Sequence, residues 1–218
     1  MTANTNHTII EVTGPPGAGK STYIDRHLGD RIVYQGYSPS TGGRTGRVMR
    51  SIFFPIRMLA SCRLSWKQFT WLMRMASRLD DGLIERINAF RNAWLKFSLK
   101  FDEPKAGNAV NSGAVVIDEG ISHIPFIMEL RKEQIDRFLE LFGDELKGRL
   151  LVLMEPPSEE ELLDRLRRRG HRRGGSEERL RRLARSNLAS WRDYCKSLEE
   201  RELAWQKVPF RPVNAGQG

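Results

Sequence analysis

The sequence predicts a parallel α/β domain, and three observations carry that expectation. A short β-branched run, "HTIIEVT" (7–13), leads through a glycine-rich turn into "STYIDRHLGD" (21–30), which can form a helix. Two further apolar runs, "AVVIDEG" (114–120) and "GRLLVLMEPP" (148–157), read as buried strands, the second stopped by prolines. Long helical stretches lie between them. Strands alternating with helices build a parallel sheet covered on both faces, and ligands gather at the C-terminal ends of its strands.

The first turn carries chemistry. "EVTGPPGAGKSTYID" (11–25) places Gly14, Gly19, Lys20 and Ser21 at the spacing G-x-x-x-x-G-K-[ST]. Glycines let successive backbone N–H groups turn inward as an anion nest, and the helix that follows points its positive end at the same place. Lys20 is placed to reach β- and γ-phosphates, and Ser21 offers a hydroxyl to Mg²⁺. The expected polyphosphate site is Gly14, Pro15, Pro16, Gly17, Ala18, Gly19, Lys20, Ser21 and Thr22, the Walker A loop of a P-loop NTPase.

The remaining elements follow in order. "RIVYQG" (31–36) reads as a second strand, followed by the polar loop "YSPSTGGRTGR" (37–47). Residues 45–101 read as a long helical stretch, 102–113 as loop, and "PFIMELRKEQIDRFLELFGDEL" (125–146) as one or two helices. Ser158 and Glu161 form an S-x-x-E capping box that opens "EEELLDRLRRRG". Residues 176–201 make another helix, with Leu180, Leu183, Leu188, Trp191 and Leu198 on its apolar side, and "WQKVPFRPVNA" (205–215) supplies a last strand. The expectation is a single domain over 1–218.

Two more constellations bear on function. Asp118 and Glu119 end the strand "VVID" where the phosphates should sit, so one of them is expected to face Mg²⁺ and accept a proton from an attacking hydroxyl. Asp118 is the first choice for both roles, Glu119 the second. "DRLRRRGHRRGG" (164–175) sets Arg165, Arg167, Arg168, Arg169, Arg172 and Arg173 before a glycine hinge. So many guanidinium groups on one helix end repel one another unless anions come to them, which suits a lid over a transferring phosphate, here placed at 164–176. His123 has no partner motif and reads as a loop or packing residue rather than a ligand.

Charge is concentrated. Residues 44–101 hold 12 of the 36 Lys/Arg and 3 of the 27 Asp/Glu, so this segment carries the whole net charge of +9. Its aromatics, among them Trp66, Phe69 and Trp71, are most simply core and its arginines a solvated face. The sharper reading is an anionic-surface site for nucleic acid or membrane, using Arg47, Arg50, Arg57, Phe53, Phe54 or Trp71. Cys62 and Cys195, the two cysteines, are far apart and fit a reducing compartment rather than a disulfide scaffold. No basic n-region with an apolar h-region opens the sequence, and the expected location is cytoplasmic, with a peripheral membrane site left open.

From these motifs the chain resembles the nucleoside and nucleotide kinases of the P-loop superfamily, nearest the thymidylate kinase and deoxynucleoside kinase group. "VLMEPPSEEELLDRLRRRGHR" (152–172) is similar to their strand, proline and lid-helix pattern, and "RLRRLARSNLASWRDY" (179–194) to the helix after it. The resemblance spans 8–35 and 112–214 and implies a five-stranded sheet in order 2-3-1-4-5, with ATP and Mg²⁺. It implies Lys20, Asp118, Arg169 and Arg172 as catalytic, Arg165 and Arg173 as further ATP ligands, and Ser21 and Asp118 at the metal, while Glu119 stays a catalytic candidate on the residues alone. It departs from the group where Glu119 replaces the arginine that normally follows the strand-end acid, and where "YQGYSPS" (34–40) lacks their acceptor-reading motifs. Segment 44–101 then stands on the acceptor side. Three functions remain open: a kinase of a small anionic acceptor such as a nucleotide or sugar, a kinase of a large acceptor (a nucleic acid 5′ end, or a glycan or lipid at a membrane), and a slow regulatory NTPase. A homodimer is compatible with each.

Overall fold

The computed structural model describes residues 9–29, 32–35, 64–80, 82–99, 115–168 and 176–210. Strands β1 (Ile9–Thr13), β2 (Ile32–Gln35), β3 (Val115–Asp118), β4 (Arg149–Met154) and β5 (Trp205–Val208) form one sheet in the order β2-β3-β1-β4-β5. Every neighbouring pair is parallel. Val12 of β1 stands opposite Asp118 of β3, so the acids after β3 emerge beside the turn that leaves β1.

The two faces of β1 bury different things. Ile10 and Val12 pack with Val116, Val152 and Ile24 of helix α1 (Lys20–His27). The opposite face meets a larger core built from α2 (Trp66–Ser77), α3 (Leu83–Leu99), α4 (Ile124–Ile127), α5 (Lys132–Leu146) and α7 (Glu177–Glu199). Leu72, Phe97, Phe126, Phe138 and Tyr194 lie there, with Leu151 and Leu153 of β4. Helix α6 (Glu159–Arg168) packs on α7 through Leu162, Leu166 and Leu183. Ile135, Phe138, Leu139, Phe142 and Leu146 of α5 repeat at helical spacing and are all buried, which is why this stretch is amphipathic.

The helical stretch expected over 45–101 is, in its described part, two helices and not one. Ser65 caps α2, accepting from Gln68 N at 3.2 Å while Gln68 Oε1 accepts from Ser65 N at 2.9 Å. Asp80 and Gly82 then fall between α2 and α3, where neither residue favours helix propagation. Trp71, considered for a membrane face, is instead buried between Phe138 and Phe142, at ring distances of 6.2 and 5.9 Å. Phe53, Phe54, Arg47, Arg50 and Arg57 lie outside the described residues. Among the described residues no helix is long and apolar enough to cross a membrane.

One buried ion pair fixes how the larger core meets the sheet. Arg149 faces Ile9 across the β1–β4 register, so its side chain shares a face with Glu11 two residues along. Its guanidinium donates to Glu11 Oε2 at 2.8 Å, with both side chains out of water. Glu11 Oε1 accepts from Ser122 N at 2.6 Å, tying the turn after β3 to β1. Gly120 makes room for this carboxylate, since a Cβ there would stand 2.5 Å from Glu11 Cδ. Gly120→Ala is therefore expected to destabilise the fold by ~1–3 kcal/mol, the usual scale of overpacking. Urea unfolding measures it, and an unchanged midpoint would mean that the Glu11 contact is not tight.

Candidate functional site

The turn leaving β1 delivers the predicted loop. Gly14 has φ 144°, a conformation L side chains rarely adopt, and a Cβ on it would lie 2.9 Å from the Met154 carbonyl oxygen. The backbone thus passes close over the end of β4 and opens into α1, whose first residue is Lys20. Ser21 and Thr22 occupy the first turn of that helix, with Ser21 exposed.

Lys20 is only 6 % exposed, and its ammonium is held at three points. Nζ donates to Gly14 O at 2.9 Å and to Pro15 O at 3.0 Å, and pairs with Glu119 Oε1 at 2.9 Å. Of the two acids expected to meet Lys20 at the end of β3, Glu119 is the one in contact with it. Glu119 reaches across because its backbone is left-handed, φ 59°, and its N–H is bonded to Val12 O at 3.0 Å.

The two acids have different surroundings. Burial, then the neighbouring Glu119 charge, pushes the Asp118 carboxyl above its ordinary range; Lys20 and Lys96 pull the other way and lose. Burial would also raise Glu119, but the ammonium groups of Lys20 and Lys96 outweigh it and hold that carboxyl well below its ordinary range. A proton acceptor should have some affinity for the proton it takes. Asp118 has it; Glu119, ionised and engaged, is the poorer base.

Lys96 and His123 complete the cluster, and neither was picked out as functional from sequence. Lys96 of α3 lies 3.4 Å from Glu119 Oε2. His123 is buried and tilted against Phe126 at 5.7 Å, the packing role expected of it. Burial pushes its imidazole down to about 3, so it is neutral, and Nε2 at 3.6 Å from Glu119 is a neighbour rather than an ion-pair partner. Because the folded state refuses this proton, the unfolded chain binds more protons between pH 6.5 and about 3. Stability from this group is present above 6.5 and lost as pH falls through that window. A His123→Phe variant is expected to show a flatter acid limb in urea-unfolding curves; an identical limb would mean the histidine protonates in the fold.

The fit to Mg²⁺ rests on Asp118. Its Oδ1 is buried without a hydrogen-bond partner, and a buried carboxylate oxygen needs a cation or a donor to offset its charge. Magnesium takes carboxylate, hydroxyl and water oxygens, and Ser21 supplies the exposed hydroxyl. Among the described residues no group of three or more His, Cys, Asp or Glu could hold a metal by itself.

The arginine stretch is only partly seen. Arg165 donates to Gly17 O at 2.9 Å and to Glu161 Oε1 at 2.9 Å, and its guanidinium lies 4.6 Å from the Phe210 ring centre. It braces the phosphate loop from outside. Arg167 pairs with Glu177 and Arg168 with Asp164, so in α6 the arginines are neutralised by the chain itself, contrary to the expected self-repelling face. Arg169, Arg172 and Arg173 lie outside the described residues.

Glycine-bearing loop after β1, lysine at the head of α1, acid at the end of the adjacent β3 and sheet order 2-3-1-4-5 belong together. This is a phosphate-loop α/β fold. No family model matches the chain, and no curated protein matches it. Among solved structures it is similar to a deoxyadenosine kinase from M. mycoides with bound dATP, at 12 % identity, covering 92 % of this chain and 90 % of that one, with a TM-score of 0.45.

Proposed function

We propose that this chain is an ATP-dependent phosphotransferase that moves the γ-phosphate to a hydroxyl or phosphate of a small anionic acceptor, such as a nucleotide or sugar. The observation that supports it is a buried loop lysine paired with Glu119, next in sequence to the strand-end Asp118, whose Oδ1 has no hydrogen-bond partner. Lys20 turns from the Gly14 and Pro15 carbonyls to the β- and γ-phosphates, stabilising charge as it moves. The N-terminus of α1 adds its partial positive charge to the same oxygens. Asp118 accepts the proton of an attacking hydroxyl as the new O–P bond forms and the bond to the β-phosphate oxygen breaks. Ser21 and Asp118 would hold Mg²⁺, which neutralises charge on the phosphates. Arg169, Arg172 and Arg173 stand as the lid in this reading, with Arg165 setting the loop from behind.

A second reading, transfer to a large anionic acceptor, draws on the α2–α3 hairpin. Trp66 at the start of α2 is 76 % exposed, and Leu83 and Ile84 at the start of α3 are 73 % and 71 % exposed, on helices that also carry Lys67, Arg74 and Arg86. A basic surface with protruding apolar side chains suits a phosphate backbone or a lipid headgroup layer. A γ-phosphate transfer screen over nucleosides, nucleotides, sugars, oligonucleotides and lipid-linked glycans separates the readings. Transfer to small anionic acceptors supports the first and transfer confined to oligonucleotides or lipid-linked glycans the second. Hydrolysis without transfer to any of them sinks both and leaves the regulatory NTPase.

A further inference from the structure

Glu119 joins two lysines from distant parts of the chain. Its Oε1 is 2.9 Å from Lys20 Nζ, and its Oε2 is 3.4 Å from Lys96 Nζ. Lys20 opens α1, whereas Lys96 sits near the end of α3. The side chains are 6 % and 18 % exposed, so each ammonium is largely withdrawn from water and needs a counter-charge.

A polyphosphate and Glu119 compete for the same lysine. The ammonium of Lys20 has three protons, and Gly14, Pro15 and Glu119 already take them. A ligand that claims Lys20 leaves the Glu119 carboxylate beside several negative charges. The backbone of Glu119 cannot carry it away without breaking its bond to Val12 O. The partner must change instead, and Lys96 is already within reach of the second oxygen. Neutral His123, the other close neighbour, cannot supply the charge.

We infer that Lys96 is a positioning residue that takes over the Glu119 carboxylate when a polyphosphate claims Lys20. The inference rests on the proposed phosphate site and adds how that site is vacated for its ligand. It differs from direct phosphate binding by Lys96, because on this account Lys96 is needed only while Glu119 is charged.

Calorimetric binding of MgATP and of inorganic tripolyphosphate to the full chain tests it, with thermal melting to confirm folding of each variant. Lys96→Met should weaken both probes by about tenfold or more, within the usual range of coupling between sites. Lys96→Arg should keep the affinity, and Glu119→Gln should bind at least as tightly as the wild type. The double variant Lys96→Met/Glu119→Gln should return to within about twofold of the wild type or better, the accuracy to which uncoupled changes add. Lys96→Gln serves the same comparison should the methionine variant not fold. A double variant as weak as the single one overturns the inference, since Lys96 would then touch the phosphate itself. So does a single variant that binds normally. A wild-type protein that binds neither probe removes the proposed function and this inference together, a result distinct from wild-type binding without rescue.

Discussion

Replacing Lys20 by alanine lowers γ-phosphate transfer by about 10²-fold or more, the scale of losing a preorganised charge partner at the reacting group. Lys20 is the ammonium buried in the loop itself, whereas Lys96 is directed at Glu119. The variant still folds, because β1 and α1 are held by Ile10, Val12 and Ile24 in the core beneath. It loses the bonds to the Gly14 and Pro15 carbonyls, which costs ~1–3 kcal/mol if those oxygens find no water. Single-turnover transfer with MgATP in excess reports the chemical step, and a melting curve reports the fold. A rise in KM with kcat unchanged would make Lys20 a uniform binding residue. Full turnover in a folded variant would take it out of the chemistry altogether.

What was legible in the sequence was local. The loop reads directly because its function needs glycines, a lysine and a hydroxyl within eight residues, all on one turn. The strands read because apolar β-branched runs are short and bounded. The pairs of Glu161 with Arg165 and Asp164 with Arg168 were also legible, at four-residue spacing on one helix. Counting only arginines hid them and gave a self-repelling face.

The rest needed the third dimension. Glu11 and Arg149 are 138 residues apart, and only the β1–β4 register puts them on one face of the sheet. Lys96 stands among the basic residues of segment 44–101 and reads as one more solvated lysine. It turns inward because this stretch of α3 packs against the turn after β3, while its neighbour Phe97 sits on Phe142 of α5 at 6.0 Å. Glu119 looked like a spare for Asp118. Its left-handed backbone separates the two, sending one carboxylate to the lysines and leaving the other with an orphaned oxygen.

That separation makes the second large effect specific. Asp118→Asn should lower transfer by ~10²–10⁴-fold, the contribution of a positioned general base, with ATP affinity changed much less. The substitution keeps size and removes the charge. The fold should tolerate it, because Asp118 sits at the last position of β3, where its burial is incomplete. Glu119→Gln should be milder toward the chemical step, since that carboxylate is held well below its ordinary range, against its burial, by the charged Lys20 and Lys96 and has little tendency to take a proton. The Asp118 carboxyl, raised chiefly by burial, keeps that tendency. If the loss in Asp118→Asn is recovered by raising Mg²⁺, the carboxylate acts through the metal; if no Mg²⁺ level recovers it, the proton is the better explanation. Damage confined to Glu119→Gln would reverse the assignment of the two acids. Two mild variants would reduce Asp118 to a strand-end residue and leave the phosphate loop without its base.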